Sequence, residues 1–358
     1  HGSLFRDAIS VNYDKLLLGD FKQFGNFDLE YKYKNDIELV NAIIFNSGKE
    51  NVLTVKIDEI VKEDYAVDSK VDHGVLVPLY YINKIYKKFK LVHITYGLLS
   101  QEELYKFGMT IQGTLNEIGR KAVVIASGDL SHKLLPSSPA GYTSKGKEFD
   151  DTIIDLLKSN SREEIMNINY SFAEEAGECG LRSIQIMLGA LDGLKTENKV
   201  LSYEGPFGVG YGCVTLDIIG KDDDFKLLST IKNMRNDHIN QIRENEDEYV
   251  KLARMALESY VKTNNIASIP HSLKDERLYN DKAGVFVSIK KDGELRGCIG
   301  TIEPTKYSIA EEIISNAISS GARDPRFYPV NEEELDELIY SVDVLMPSEK
   351  INSIKELD

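Results

Sequence analysis

Apolar residues recur along the chain at two different periods, and the elements they predict alternate. Over 36–45, Ile37, Val40, Ile43 and Ile44 repeat at three and four, which predicts a helix. The same signal runs over 73–86 through Val77, Tyr80, Tyr81, Ile85 and Tyr86. There Pro78 places the helix start near itself, because proline has no N–H to give and suits a first turn. Ser100 ahead of Glu102 and Glu103 predicts a capped helix through Ile118, interrupted by glycines. Further helices are predicted over 147–158 and 180–191. Strands are expected over 90–95 and 212–219. The continuous apolar run at 121–126 reads as a buried central strand ending in Ser127-Gly128-Asp129. The mixed stretch 4–27 predicts a loop and an edge element. Strands alternating with helices over some 220 residues indicate one layered α/β domain.

Beyond it the pattern changes. The stretch 221–248 holds Lys-Asp-Asp-Asp and Arg-Glu-Asn-Glu-Asp-Glu, and predicts a charged connector whose later part begins a new helix. Leu252, Met255, Ala256 and Tyr260 then share a helical face. A strand at 284–289, a turn at Lys291-Asp292-Gly293 and a partner strand at 294–302 predict a hairpin. A helix at 309–319 and an alternating strand at 338–345 complete a smaller α+β module. The expected organisation is 1–220 for the first domain, 221–244 for the connector and 245–358 for the second.

A chain of 358 residues with 42% hydrophobic side chains supports two cores. Its formal net charge of -15 would repel a phosphate backbone, and no basic patch offsets it, so nucleic acid is disfavoured. Cys179, Cys213 and Cys298 are too widely spaced for a zinc knuckle or a disulfide framework, which suits a reducing, cytoplasmic compartment. No apolar run is long enough to span a membrane. The chain opens at His1 without methionine and enters patterned sequence at once, as a piece of a longer protein would.

The polar candidates in the first domain are His1, Asp72-His73, Asp129 with His132, and Cys179. Histidine and thiolate bind borderline metals, whereas histidines with a carboxylate suit non-haem iron. Asp129 and His132 follow a predicted strand, at the carboxyl end where α/β sheets carry function. Cys179 sits beside Gly180 at a helix start, which favours a thiolate, although cysteine is also a common buried residue. A lone His73 or His93 is more readily structural than functional.

The order His1-Gly2 with Phe5-Arg6-Asp7-Ala8, Asp72-His73-Gly74 with Val77-Pro78-Leu79, Ser127-Gly128-Asp129-Leu130-Ser131-His132 and Ala176-Gly177-Glu178-Cys179-Gly180 resembles the LigB-like superfamily. That superfamily contains class III extradiol dioxygenases and the Memo proteins, and the resemblance implies a LigB-like layered α/β fold. It implies that His1 is one metal histidine, the other lying in a motif this chain does not contain. His73 and His132 would then act beyond the ligands, His73 as acid or base and His132, oriented by Asp129, toward the oxygen species. Cys179 falls where dioxygenases place a carboxylate, as in Memo-type members, with Glu178 beside it as an alternative oxygen donor. A thiolate shifts the expected metal from iron(II) alone toward iron(II) or copper and argues against catechol cleavage.

In the second domain, Leu295-Arg296-Gly297-Cys298-Ile299-Gly300 lies on a predicted strand. Arg296 there could hold an anion or a carboxylate, and Cys298 is either a buried thiol or a nucleophile. Arg323 and Arg326 flank Asp324, either to fix a loop by ion pairs or to bind a ligand. These motifs, followed by Ser341-Val342-Asp343-Val344-Leu345, resemble the AMMECR-type domain, whose familiar form continues beyond Asp358. Fusions of the two are similar to proteins grouped with a radical SAM enzyme. That implies a metal-dependent redox or protein- or cofactor-modification role, with a radical SAM protein or a peptide as partner, or else a metal- or peptide-binding scaffold.

Overall fold

The computed structural model describes residues 4–346. The chain divides into two units, His1–Lys232 and Asn233–Asp358, within the stretch expected as a connector. In order, the first unit carries β1 (Ile9–Asn12), β2 (Leu16–Phe21), β3 (Asn26–Lys34), α1 (Ile37–Lys49), β4 (Thr54–Ile57), α2 (Glu59–Tyr65), α3 (His73–Ile82) and β5 (Ile94–Thr95). It continues with α4 (Gln101–Glu117), α5 (Ser144–Ser159), α6 (Arg162–Met166), α7 (Tyr170–Ala176), α8 (Leu181–Gly189), β6 (Leu194–Glu204) and β7 (Tyr211–Lys221). The charged stretch forms α9 (Leu228–Glu244).

The stretch 4–27, expected as loop and edge, instead supplies the middle of a sheet. All four residues of β1 are buried, and β1 lies between β4, to which it is parallel, and β5, to which it is antiparallel. Four residues are too few to show a period, which is why the sequence pattern missed it. The strand expected over 90–95 is reduced to the two residues of β5.

The run at 121–126 is also corrected: it forms no strand and Val123 is 87% exposed. An apolar run in extended conformation needs partners for its backbone hydrogen bonds before it can be buried, and no strand pairs with it among the described residues. In α3 the start is at Asp72, whose carboxylate accepts the Val75 N–H, and Pro78 falls inside the helix. Its missing N–H would have met the Gly74 carbonyl, one turn earlier. The Ser127 hydroxyl donates to that carbonyl instead.

Helix α4 begins with a full capping box between Ser100 and Glu103. Gly108 does not interrupt it: a β-carbon there would lie 2.1 Å from the Ile186 carbonyl oxygen, so this glycine lets α4 and α8 touch. The core under these helices is built on Tyr105, Phe149, Ile153, Leu181 and Leu188.

The second unit contains α10 (Glu248–Thr263), α11 (Arg277–Asn280), β8 (Val285–Lys291), β9 (Glu294–Gly300), α12 (Ile309–Ala322) and β10 (Leu338–Val344). Its antiparallel sheet runs β10-β8-β9. The β8–β9 turn takes Asp292 and Gly293 into positive φ, as expected of Asp-Gly in a tight hairpin. Val285, Val287, Ile313 and Ala317 form the core between the sheet and α12.

Candidate metal centre

Three backbone segments meet at the centre. Residues 128–132 lie against 176–180 on one side and Gly210 on the other. Leu130 donates to the Gly210 carbonyl at 2.9 Å, and Gly210 returns a bond to the Ser131 carbonyl at 2.8 Å. On the facing side the Cys179 N–H donates to the Asp129 carbonyl at 3.1 Å, and His132 donates to Gly177 at 3.3 Å. The approach needs Gly128, since a β-carbon there would sit 2.5 Å from the Cys179 carbonyl oxygen. Gly177 turns the chain after α7 with φ 69, which delivers Cys179 just ahead of α8.

Asp129, His132 and Cys179 thereby bring a carboxylate, an imidazole and a sulfur within 4.8 Å of one another. His132 Nε2 lies 3.1 Å from Asp129 Oδ2, so the orienting contact expected for this pair is present. The Asp129 N–H donates to Cys179 Sγ at 3.2 Å. Bonding to Asp129, and then to the Cys179 sulfur, holds the His132 imidazolium up to about 10. The Tyr96 hydroxyl donates to the Cys179 carbonyl at 3.1 Å, and its own pKa is pushed up to about 12 by burial.

The other expected residues fall elsewhere. Glu178 is engaged at the start of α8, where its Oε2 accepts the Gly180 and Leu181 N–H groups at 2.7 and 2.6 Å. Burial raises its carboxyl pKa. His73 is on the first turn of α3, edge-on to Phe24 with ring centres 5.2 Å apart and 3.4 Å from the Gln23 amide. Its helix is tied to the centre through the Gly74–Ser127 bond, but its ring is outside the three-residue cluster. His1 lies outside the described residues. His93 is buried behind β1 and β5, at a cavity of about 10 Å³, enough for one water.

In the second unit, Arg296 pairs bidentately with Glu334 at 2.8 and 3.0 Å. Asp324 is buried and binds Arg326, whose guanidinium holds the carboxyl far below the usual range. Asp324 also accepts the Cys298 N–H, while Ser288 donates to Cys298 Sγ at 3.2 Å. Asp324 and Arg326 thus fix the loop onto β9. Arg323 closes α12 with its backbone N–H on Ser319.

Sequence reasoning missed the groups behind the centre. Ser131 and Asp150 are fully buried, and the Ser131 N–H donates to Asp150 Oδ1 at 2.8 Å. One signal was available: on α5, Asp150 shares the buried face of Phe149, Ile153 and Leu157, where a carboxylate is out of place.

Comparison with known proteins identifies a family for each part of the chain. The family described as the catalytic LigB subunit of aromatic ring-opening dioxygenase matches residues 1–214, and the AMMECR1 family matches residues 250–358. Protein CA_C1420 of Clostridium acetobutylicum is 42% identical over 359 residues, covering 100% of this chain and 76% of that protein. A Thermotoga maritima protein is 46% identical over 114 residues, 32% of this chain and 65% of its own length. The crystal structure of protein PH0010 from Pyrococcus horikoshii is 40% identical, covers 30% of this chain and 56% of that one, and has a TM-score of 0.28. The chain therefore spans about two thirds or less of these last two relatives. It belongs to the LigB family, with an AMMECR1 domain following.

Proposed function

We propose that the first unit is a metal-dependent redox or protein- or cofactor-modification module, in which Cys179 holds iron(II) or copper and His132, expected beyond the ligands, joins it as a donor beside Asp129. The observation that carries this reading is the convergence of sulfur, imidazole and carboxylate on one partly exposed point. A sulfur, nitrogen and oxygen set fits a borderline metal, whereas a site with hard oxygen donors alone would favour magnesium or calcium. When bound, the metal would supply Lewis acidity and electron transfer. His132 must give up its proton to bind, and Asp129 holds that ring in place. His73, tied to the centre through α3, is the candidate acid or base for substrate protons. A peptide or a radical SAM protein is the partner in this reading.

Ring cleavage is the name attached to the LigB family, and oxygen uptake with a catechol tests it. Cys179 speaks against it, since a thiolate stands in the cluster where the resemblance to the dioxygenases implies a carboxylate. The first test is metal analysis of anaerobically purified protein beside Cys179→Ser. Near-stoichiometric iron or copper that falls at least tenfold in the variant is expected. Equal trace metal in both would overturn the reading and favour a scaffold role.

A further inference from the structure

The two sides of the centre belong to segments 50 residues apart, and to the backbone bonds between them a buried serine adds a side-chain tie. The Ser131 N–H donates to Asp150 Oδ1 at 2.8 Å, and the Ser131 hydroxyl donates to the Ala176 carbonyl at 2.7 Å. Ser131 adjoins His132, and Ala176 ends the helix three residues before Cys179. The Ser131 oxygen also accepts the Lys133 N–H at 3.0 Å, fixing the far side of His132. Asp150 is held in turn by the Tyr203 hydroxyl on Oδ2 at 2.8 Å. A β-carbon at Gly210 would lie 1.9 Å from that same oxygen, so the carboxylate is confined on this side as well.

Burying a carboxylate without a cation in hydrogen-bond contact is costly. Asp150 is 0% exposed and its hydrogen-bond partners are a backbone N–H and a hydroxyl, and burial raises its pKa. Packing alone would be better served by leucine at this position of α5. What the carboxylate provides is an acceptor at one fixed point behind residue 131. We propose that Asp150, acting through Ser131, is the positioning group that sets the separation between the Asp129–His132 side and the Cys179 side of the centre. The inference rests on the metal reading above and adds to it the residues that hold the donors at binding distance.

Cobalt(II) titration of the full chain tests it, followed by the sulfur-to-cobalt absorption that Cys179→Ser should abolish. Ser131→Ala and Asp150→Ala are expected to weaken cobalt binding about 10–100-fold and to shift the absorption, the usual cost of losing a group that orients a ligand. Asp150→Asn keeps an acceptor for the Ser131 N–H and is expected to stay near wild type. Unchanged affinity and absorption in Ser131→Ala and Asp150→Ala would overturn the proposal. A loss in Asp150→Asn as large as in Asp150→Ala would also overturn it, since charge rather than position would then matter. Should circular dichroism show Asp150→Ala unfolded, Ser131→Ala decides alone. Hydrogen exchange of the metal-free proteins separates the two readings. If wild type binds no cobalt, the metal reading falls. Faster exchange over 127–133 and 176–181 in Ser131→Ala would still uphold the clamp, and unchanged exchange would reject it.

Discussion

His93 shows how a single titrating residue makes this fold sensitive to pH. It is 8% exposed, and burial lowers its pKa, with the Asp72 carboxylate pulling the other way. Around its cavity stand Ser10, Asn12, Ile57, Asp68, Ser69 and Thr95. The imidazole is neutral in the folded chain near neutral pH, while the unfolded chain takes up a proton near about 6.5. The unfolded state then binds more protons, so this residue's contribution is present above that value and is lost as pH falls toward the lower folded pKa. Urea unfolding at about pH 7.5 and 5.5 should therefore show a smaller loss of stability in His93→Gln than in wild type. An equal loss in both would mean that His93 is protonated in the fold. The sequence showed His93 only as a lone histidine. Nothing in residue spacing reveals that a side chain will face a cavity one water wide. Asp129 and His132 stood out for their place after an expected strand that does not form, and with Cys179 for the order of their motifs, so it was motif order rather than the strand that pointed to the cluster. Asp150 was passed over: only its place on the apolar face of α5, with Phe149, Ile153 and Leu157, separates it from the exposed Asp151 and Asp155.

Helices of this chain were legible where caps and periodicity agree, as in α4, and short strands were not. β1 has four residues and β5 two, so pairing rather than pattern decides them. The run at 121–126 carries the composition of a buried strand, yet composition cannot supply the neighbour that would bury it. β6 was overlooked because lysine, asparagine and glutamate crowd its sequence, and it is held by its long antiparallel pairing with β7. Within α4 two glycines look alike in sequence and differ in the fold. Gly113 has open space around its β-carbon position, whereas Gly108 faces the Ile186 carbonyl oxygen at 2.1 Å. Gly113→Ala should raise stability by about 0.8–1 kcal/mol through helix propensity alone. Gly108→Ala gains the same propensity but forces α4 from α8, for which overpacking costs about 1–3 kcal/mol, so its net effect is destabilising. Thermal unfolding of the two variants should move Tm in opposite directions. A rise in both would mean that the α4–α8 contact yields at little cost.

At the scale of the whole chain, the division into two modules and their α/β and α+β character follow from the change of pattern after residue 220, and each unit has its own core. No helix among the described residues is long and apolar enough to cross a membrane. Asp129, His132 and Cys179 all belong to the first unit, whereas Cys298 belongs to the second. A ligand that binds only the folded state stabilises what it binds, by about 2.7 kcal/mol at a hundredfold excess over Kd. Cobalt should therefore raise the unfolding midpoint of the first unit and leave that of the second unchanged. Calorimetry would show the shift. Thiol labelling of Cys298 during heating would report the second unit, since its part-buried sulfur is held on β9 by Ser288. A Cys298 midpoint that stays fixed while the metal-sensitive transition moves means that the modules unfold separately. A Cys298 midpoint that rises with cobalt in wild type but not in Cys179→Ser means that the metal at the first unit also stabilises the second, and that the chain unfolds as one cooperative body.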